Sequence, residues 1–286
     1  MRNISDYCAK GTIVHERMER IAEGIELRVL SFTPPVVHQN PLIVFVAGWI
    51  TQIDAWKSVL QEMTKDFTVL YVETREKISS RMDAGAEYSI EAIGTDIVRL
   101  IEQWDIPPRG YVLVGSSLGA TVIVESFHAL TKPPAALVLI SPNAVFRVPM
   151  IWKVIIVFFY PPFYVLIKPF VKWYLKYFRL DTEADEAQYK KYCAALDAAD
   201  PWKLKKAVIA LSRYSIWHRL ESLSCPVLLV GAFKDLLHEP DNFHKIAPMI
   251  PQVSVVDLET NANTHSPLVV SEIRKYLKTI MPASAL

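Results

Sequence analysis

Tyr111-Val-Leu-Val-Gly-Ser-Ser-Leu-Gly-Ala120 is the stretch on which the reading of the chain turns. Its first half is a short apolar run, as expected of a buried strand, and it stops at Gly115. The chain then resumes as an apolar helix, expected over Ala120 to Leu130. Gly115-Ser-Ser-Leu-Gly119 fits the pattern G-x-S-x-G with Ser117 at its centre. A serine on so sharp a strand-to-helix turn needs small neighbours on both sides. Gly115 and Gly119 leave room for the turn, and Ala120 lets the helix lie close to the strand. The hydroxyl of Ser117 is then exposed at a helix N-terminus, where backbone N–H groups favour developing negative charge. Five letters alone also fit an ordinary strand-to-helix turn; the flanking strand and helix are what raise the pattern to a candidate nucleophile.

Working outward, apolar runs and helical periodicity alternate. Thr12 to Met18 and Ile25 to Phe32 read as an antiparallel pair joined near Gly24. Pro41 to Val46, Phe67 to Val72, Ala135 to Ile140, Pro226 to Gly231 and Val253 to Leu258 read as strands, the continuous apolar ones covered on both faces. Asp54 is expected to cap a helix with Trp56, Val59, Leu60 and Met63 facing inward. Ser89 opens an amphipathic helix carrying Ile90, Ile93, Ile97, Leu100, Ile101 and Trp104 on one side. A short helix over Asp241 to Ile246 and a last one over Pro267 to Ile280 complete the pattern. Strands alternating with helices imply an α/β fold: a mostly parallel central sheet flanked by helices, with the opening pair as an antiparallel edge.

In such sheets the chemistry gathers at the carboxyl ends of the strands. Ser117 stands at one. Asp235 follows the strand Pro226 to Val230, and His265 lies in the loop after Val253 to Leu258. Nucleophilic acyl transfer requires a serine, a base and a group that orients the base. Asp235 could instead cap a turn, and Glu239 and Asp241 are alternatives for the acid. His265 could instead be a solvated loop histidine. Its six competitors are His15, His38, His128, His218, His238 and His244; of these, His15 and His38 precede the sheet core, His128 lies behind the turn, and His238 and His244 follow Asp235 too closely.

The order Ser117, Asp235, His265, with the nucleophile on a G-x-S-x-G turn, resembles the α/β-hydrolase family over nearly the whole chain. The resemblance implies an oxyanion hole made by two backbone N–H groups, that of Leu118 and that of Trp49 in Ala47-Gly48-Trp49, where the family often has His-Gly before the donor. Some relatives carry the acid after the strand that precedes the insertion; here that position offers Asn143, which bears no charge. The resemblance also implies a helical cap, here residues 145–217, inserted between core segments 1–144 and 218–286.

The insertion opens with the greasiest part of the chain, Val148 to Ile167, followed by Lys168, Lys172, Lys176 and Arg179 among Phe170, Trp173, Tyr174 and Tyr177. It reads as the wall of an acyl pocket, with a second role resting on a membrane surface. A spanning helix is disfavoured, because Lys153 and Pro161-Pro162 interrupt a stretch of only ~20 residues. Asp181 to Glu186 reads as a charged turn.

Composition bounds the rest. The 286 residues are 51% hydrophobic and 21% charged with a formal net charge of +1, which offers no electrostatic case for nucleic acid. Cys8, Cys193 and Cys225 suit neither a disulfide framework nor a zinc site and suggest a reducing compartment. The first residues lack a signal-peptide core. No metal or organic cofactor is expected. The reading is therefore a cytoplasmic serine esterase or lipase-like hydrolase of an apolar ester, with peripheral membrane contact through residues 148–179. Thioesterases, C–C bond hydrolases and cofactor-free haloperoxidases share its triad, and a non-hydrolytic receptor that keeps the pocket is the rival of another class.

Overall fold

The computed structural model describes residues 3–36, 38–146, 150, 156–180, 182, 185–234 and 240–281. Strands β1 (Ile13–Ala22) and β2 (Ile25–Thr33) form the antiparallel pair, turning at Gly24 with φ +66°. Strands β3 (Leu42–Val46) and β4 (Val69–Glu73) follow, then the two-residue β5 (Arg81–Met82), β6 (Tyr111–Ser116), β7 (Ala136–Ile140), β8 (Val227–Gly231) and β9 (Val253–Asp257). The described strands form one sheet in the order β1-β2-β4-β3-β6-β7-β8-β9, with β5 paired to β2. From β4 to β9 every neighbouring pair is parallel. Strands β4, β6, β7 and β8 are buried throughout, which is why their sequences run apolar without alternation.

Helices cover both faces. On one side lie α1 (Lys57–Met63) and the C-terminal helix, whose inward residues Trp56, Val59, Leu60, Met63, Val269, Ile273 and Leu277 share a core with β3, β4 and β6. On the other lie α2 (Ile90–Gln103), whose Ser89 hydroxyl caps the Ala92 N–H, and α3 (Leu118–Ser126). Two expectations need correction. Asp54 is not at a cap position: it lies inside a 3-10 turn, Ile53–Trp56, and its carboxylate accepts a hydrogen bond from the Tyr7 hydroxyl at 2.8 Å. The helix after Ser117 opens at Leu118, two residues before Ala120, because Ser117 is itself the residue at the turn.

Between β7 and β8 the chain leaves the sheet. Its described part holds α4 (Tyr164–Tyr174), a π-turn over Leu175–Arg179, α5 (Glu186–Ala198), α6 (Pro201–Leu211) and the short α7 (Trp217–Leu220). Asp185 and Asp200 cap α5 and α6. Half of the charged turn expected over Asp181 to Glu186, and the stretch from Val148 to Ile155 apart from Met150, lie outside the described residues. No described helix is long and apolar enough to cross a membrane. After β8 come α8 (Pro240–Ile246), the one-turn α9 (Asn261–Thr264) and α10 (Pro267–Ile280).

This segment is tied back to the sheet through Glu125 on α3. That carboxylate accepts from Arg219 at 2.8 and 3.0 Å and from the Tyr214 hydroxyl at 2.7 Å. Burial pushes the Glu125 carboxyl up, but the Arg219 and Tyr214 hydrogen bonds outweigh it and hold it below the usual range. A carboxyl depressed in the folded state binds its proton more readily in the unfolded chain. Its contribution is present above the unfolded value of about 4.3 and fades as pH falls through the lower folded value. Arg219→Leu is expected to cost roughly 2 kcal/mol at pH 7 and clearly less at pH 3. Urea midpoints at the two pH values check this; an equal loss at both would show that Glu125 is not held by Arg219.

Candidate active site

The strand order creates the site. The chain runs from β3 to β4 on one side, then returns to place β6 on the other side of β3. At such a reversal the loops after the two strands part and leave a crevice. The loop after β3 carries Gly48 and Trp49; the turn after β6 carries Ser117.

Ser117 has φ +51° and ψ −115°, a conformation that residues with a Cβ rarely adopt. Two glycines make the turn possible. A Cβ on Gly115 would lie 2.6 Å from the Ala120 nitrogen, and one on Gly119 would lie 2.0 Å from the Val46 carbonyl oxygen. The turn is pinned from β7, where the Ser117 N–H donates to the Ile140 carbonyl at 2.8 Å. Leu118 begins α3, so its N–H is among those an α-helix leaves without an intrahelical acceptor. The Ser117 hydroxyl oxygen accepts a hydrogen bond from the Asn143 side-chain amide at 2.8 Å. Asn143 is held in turn by the Thr121 hydroxyl, which donates to its carbonyl at 3.0 Å.

The facing loop is fixed from beneath. The buried Lys77 ammonium donates to the Gly48 carbonyl at 2.8 Å and pairs with Glu76 at 3.0 Å. Orienting that carbonyl orients the peptide that carries the Trp49 N–H, since the peptide unit is planar. Trp49 also packs on the core and lines the cavity.

His265 follows α9, which sequence periodicity alone did not reveal. The Thr260 hydroxyl caps α9. The imidazole stacks on Trp56 with ring centres 4.1 Å apart. Its Nδ1 lies 3.0 Å from the Asn261 carbonyl oxygen and 3.1 Å from the Thr264 hydroxyl. A carbonyl only accepts, so Nδ1 carries the proton and Nε2 the lone pair. The loop after β8 runs alongside: the Lys234 N–H donates to the Glu259 carbonyl at 2.8 Å, and the Phe233 N–H to the Asp257 carboxylate at 3.1 Å. Asp235 lies outside the described residues, as do His238 and Glu239.

Ser117 and His265 meet on the wall of one cavity of about 540 Å³. Its polar end is formed by Gly48, Trp49, Ser117, Asn143, Lys191, Asn261 and His265. The remaining wall is largely apolar, with Phe146, Phe159, Ile167, Val171, Leu175 and Leu204 among its side chains. Among the described residues no group of three or more His, Cys, Asp or Glu side chains could hold a metal ion.

A family model described as the alpha/beta hydrolase family matches residues 43–272. The chain belongs to the alpha/beta hydrolase family. Solved structures agree with this hydrolase fold. A thermophilic esterase from Thermogutta terrifontis aligns with 19% identity over 94% of this chain and 99% of its own, with a TM-score of 0.73. A hydrolase from Pseudomonas aeruginosa aligns with 17% identity over 94% and 99%, with a TM-score of 0.74. An enol-lactonase from Burkholderia xenovorans aligns with 18% identity over 92% and 98%, with a TM-score of 0.70. A comparison with curated proteins gives no match.

Three residues of this hydrolase's site escaped the sequence reading. Asn143 was weighed only as an acid and set aside, although an uncharged amide can still donate to the serine. Lys77 and Lys191 come from elements far from the G-x-S-x-G turn in sequence, and nothing in their neighbourhoods marks them.

Proposed function

We propose that the protein is a serine hydrolase of carboxylic esters with an apolar acyl chain, built as a core of residues 1–144 and 218–286 under a helical cap of residues 145–217. The observation that carries this reading is the pairing of a strained, half-buried serine with an imidazole whose Nε2 is in the base form, on one apolar-walled cavity. His265 Nε2 takes the Ser117 hydroxyl proton as Oγ bonds to the ester carbon. The carbonyl electrons move onto oxygen, facing the Trp49 and Leu118 N–H groups. The carbon–oxygen bond to the alcohol then breaks, and His265 returns its proton to the departing oxygen. Water repeats the sequence on the acyl-enzyme, releasing the acid and regenerating Ser117. Asp235 is assigned to steady the imidazole and its charged form.

Helix α4 supports a lipid-like substrate met at a membrane surface. Its inner residues Ile167 and Val171 line the cavity, whereas Val165, Leu166, Phe170 and Trp173 face outward, Leu166 being 75% exposed. A helix apolar on both sides calls for an apolar neighbour outside the chain. Lys176 beside this face suits an anionic lipid surface. Free cysteines 8, 193 and 225 support a cytoplasmic setting.

A fluorophosphonate is expected to label wild type at Ser117 and to leave Ser117→Ala unlabelled. Turnover of p-nitrophenyl esters is expected to rise with chain length from acetate to decanoate, and further when the long ester is presented in anionic vesicles. Folded protein that takes no label would point instead to a binding protein; a short-chain-only profile would remove the apolar substrate.

A further inference from the structure

Lys191 places a cation beside the proposed base. Helix α5 carries it from the insertion to the polar end of the cavity. Its ammonium donates to the side-chain oxygen of Asn261 at 2.5 Å and lies 3.3 Å from His265 Nε2. Asn261 is buried at the start of α9, so the contact is held by the same turn that positions the imidazole. The second lysine on the cavity wall, Lys205, donates to the carbonyls of Val157 and Phe159, away from the imidazole.

An ammonium at this distance opposes the imidazolium that forms when His265 takes the serine proton, because like charges in contact repel and the partly buried setting screens them weakly. A substrate that brings a negative charge to the same spot relieves that repulsion. Geometry says which part of the substrate that is. Nε2 hands its proton to the departing alcohol oxygen, so groups beside Nε2 border the alcohol and not the acyl chain.

We infer that Lys191 is a specificity-determining residue, and that the substrate is an anionic amphiphile: an apolar acyl chain esterified to an alcohol that bears a phosphate or carboxylate. This rests on the ester-hydrolase reading above. The anion would draw the ammonium from Nε2, freeing the base in the act of binding, while the chain occupies the apolar cavity. Neutral esters would leave the ammonium at the imidazole.

The test keeps the acyl group constant and varies the alcohol: 1-decanoylglycerol, 1-decanoylglycerol 3-phosphate and 3-decanoylglycerate, below their micellar concentrations. Wild type is expected to show kcat/KM at least tenfold higher on one or both anionic esters than on the neutral one. The anion that gains more identifies the phosphate or the carboxylate source. Lys191→Met is expected to bring the ratio to within about twofold while still taking the fluorophosphonate at Ser117, and Lys191→Arg to restore most of it. A wild-type ratio near one, or a ratio that survives in Lys191→Met, overturns the inference. A binding arm stands apart from catalysis: calorimetry of decyl phosphate, decanoate and decanol with Ser117→Ala, alone and combined with Lys191→Met. Tighter binding of an anion than of decanol that disappears with Lys191 upholds the site even if no ester is turned over, in which case the hydrolase reading alone fails. Equal affinities overturn the site.

Discussion

Ser117→Gly is expected to make the protein more stable and nearly inert. The serine is held at φ +51°, ψ −115°, a region essentially reserved for glycine, and a side chain kept there costs roughly 1–3 kcal/mol. Glycine relieves that strain but gives the unfolded chain extra freedom, worth about 0.4–1 kcal/mol against folding. The balance is a gain of about 1 kcal/mol, or roughly 2–4 °C in Tm. Loss of the hydroxyl removes the proposed nucleophile, and turnover of a decanoyl ester is expected to fall by a factor on the order of 10⁶. Ser117→Ala is the control, because it keeps the Cβ and the strain while losing the same activity. Thermal unfolding of the three proteins side by side checks the claim. If glycine and alanine shift Tm alike, the turn is not storing strain.

Gly119→Ala should act in the opposite sense and more severely. The added carbon would sit 2.0 Å from the Val46 carbonyl oxygen and 2.7 Å from its carbon. Those atoms are backbone at the end of β3, so no side-chain rotation relieves the clash. Overpacking typically costs 1–3 kcal/mol, and this case belongs at or above the top of that range, about 3 kcal/mol or more. Whatever fraction survives folded must shift α3 away from β3, separating Ser117 from the Gly48–Trp49 loop. Soluble yield, urea midpoint and fluorophosphonate labelling are all expected to drop together. A variant with wild-type stability and labelling would mean that α3 does not pack as close to β3 as described.

How far the sequence could be read depended on how local each determinant was. The buried strands, the Ser89-capped helix and the Ser117 turn are written in runs of ten to fifteen residues, and each lies where its pattern put it, to within a few positions. The same reading failed at Asp54, whose carboxylate is claimed by Tyr7 from 47 positions away. It also passed over α9, four residues being too short for a helical period to show. The cavity was expected from the greasy insertion, but its polar end was not. Asn143 and Lys191 line it, and Lys77 braces the Gly48 loop from beneath, only because β7, α5 and the loop after β4 converge there, and convergence has no signature in one sequence. The residue expected to orient His265, Asp235, lies outside the described residues and keeps its role as a proposal.

Two lysines in series have a further consequence. Lys203 on α6 donates to the carbonyls of Lys77 and Ser80, at 2.6 and 2.5 Å, and Lys77 in turn grips Gly48. The inserted helix α6 is thereby roped to the Gly48–Trp49 peptide, the one proposed to meet the reacting carbonyl. An outward swing of that helix would strip the rope from its anchor, so under the proposed hydrolysis access for a bulky guest and readiness for chemistry would alternate instead of coexisting.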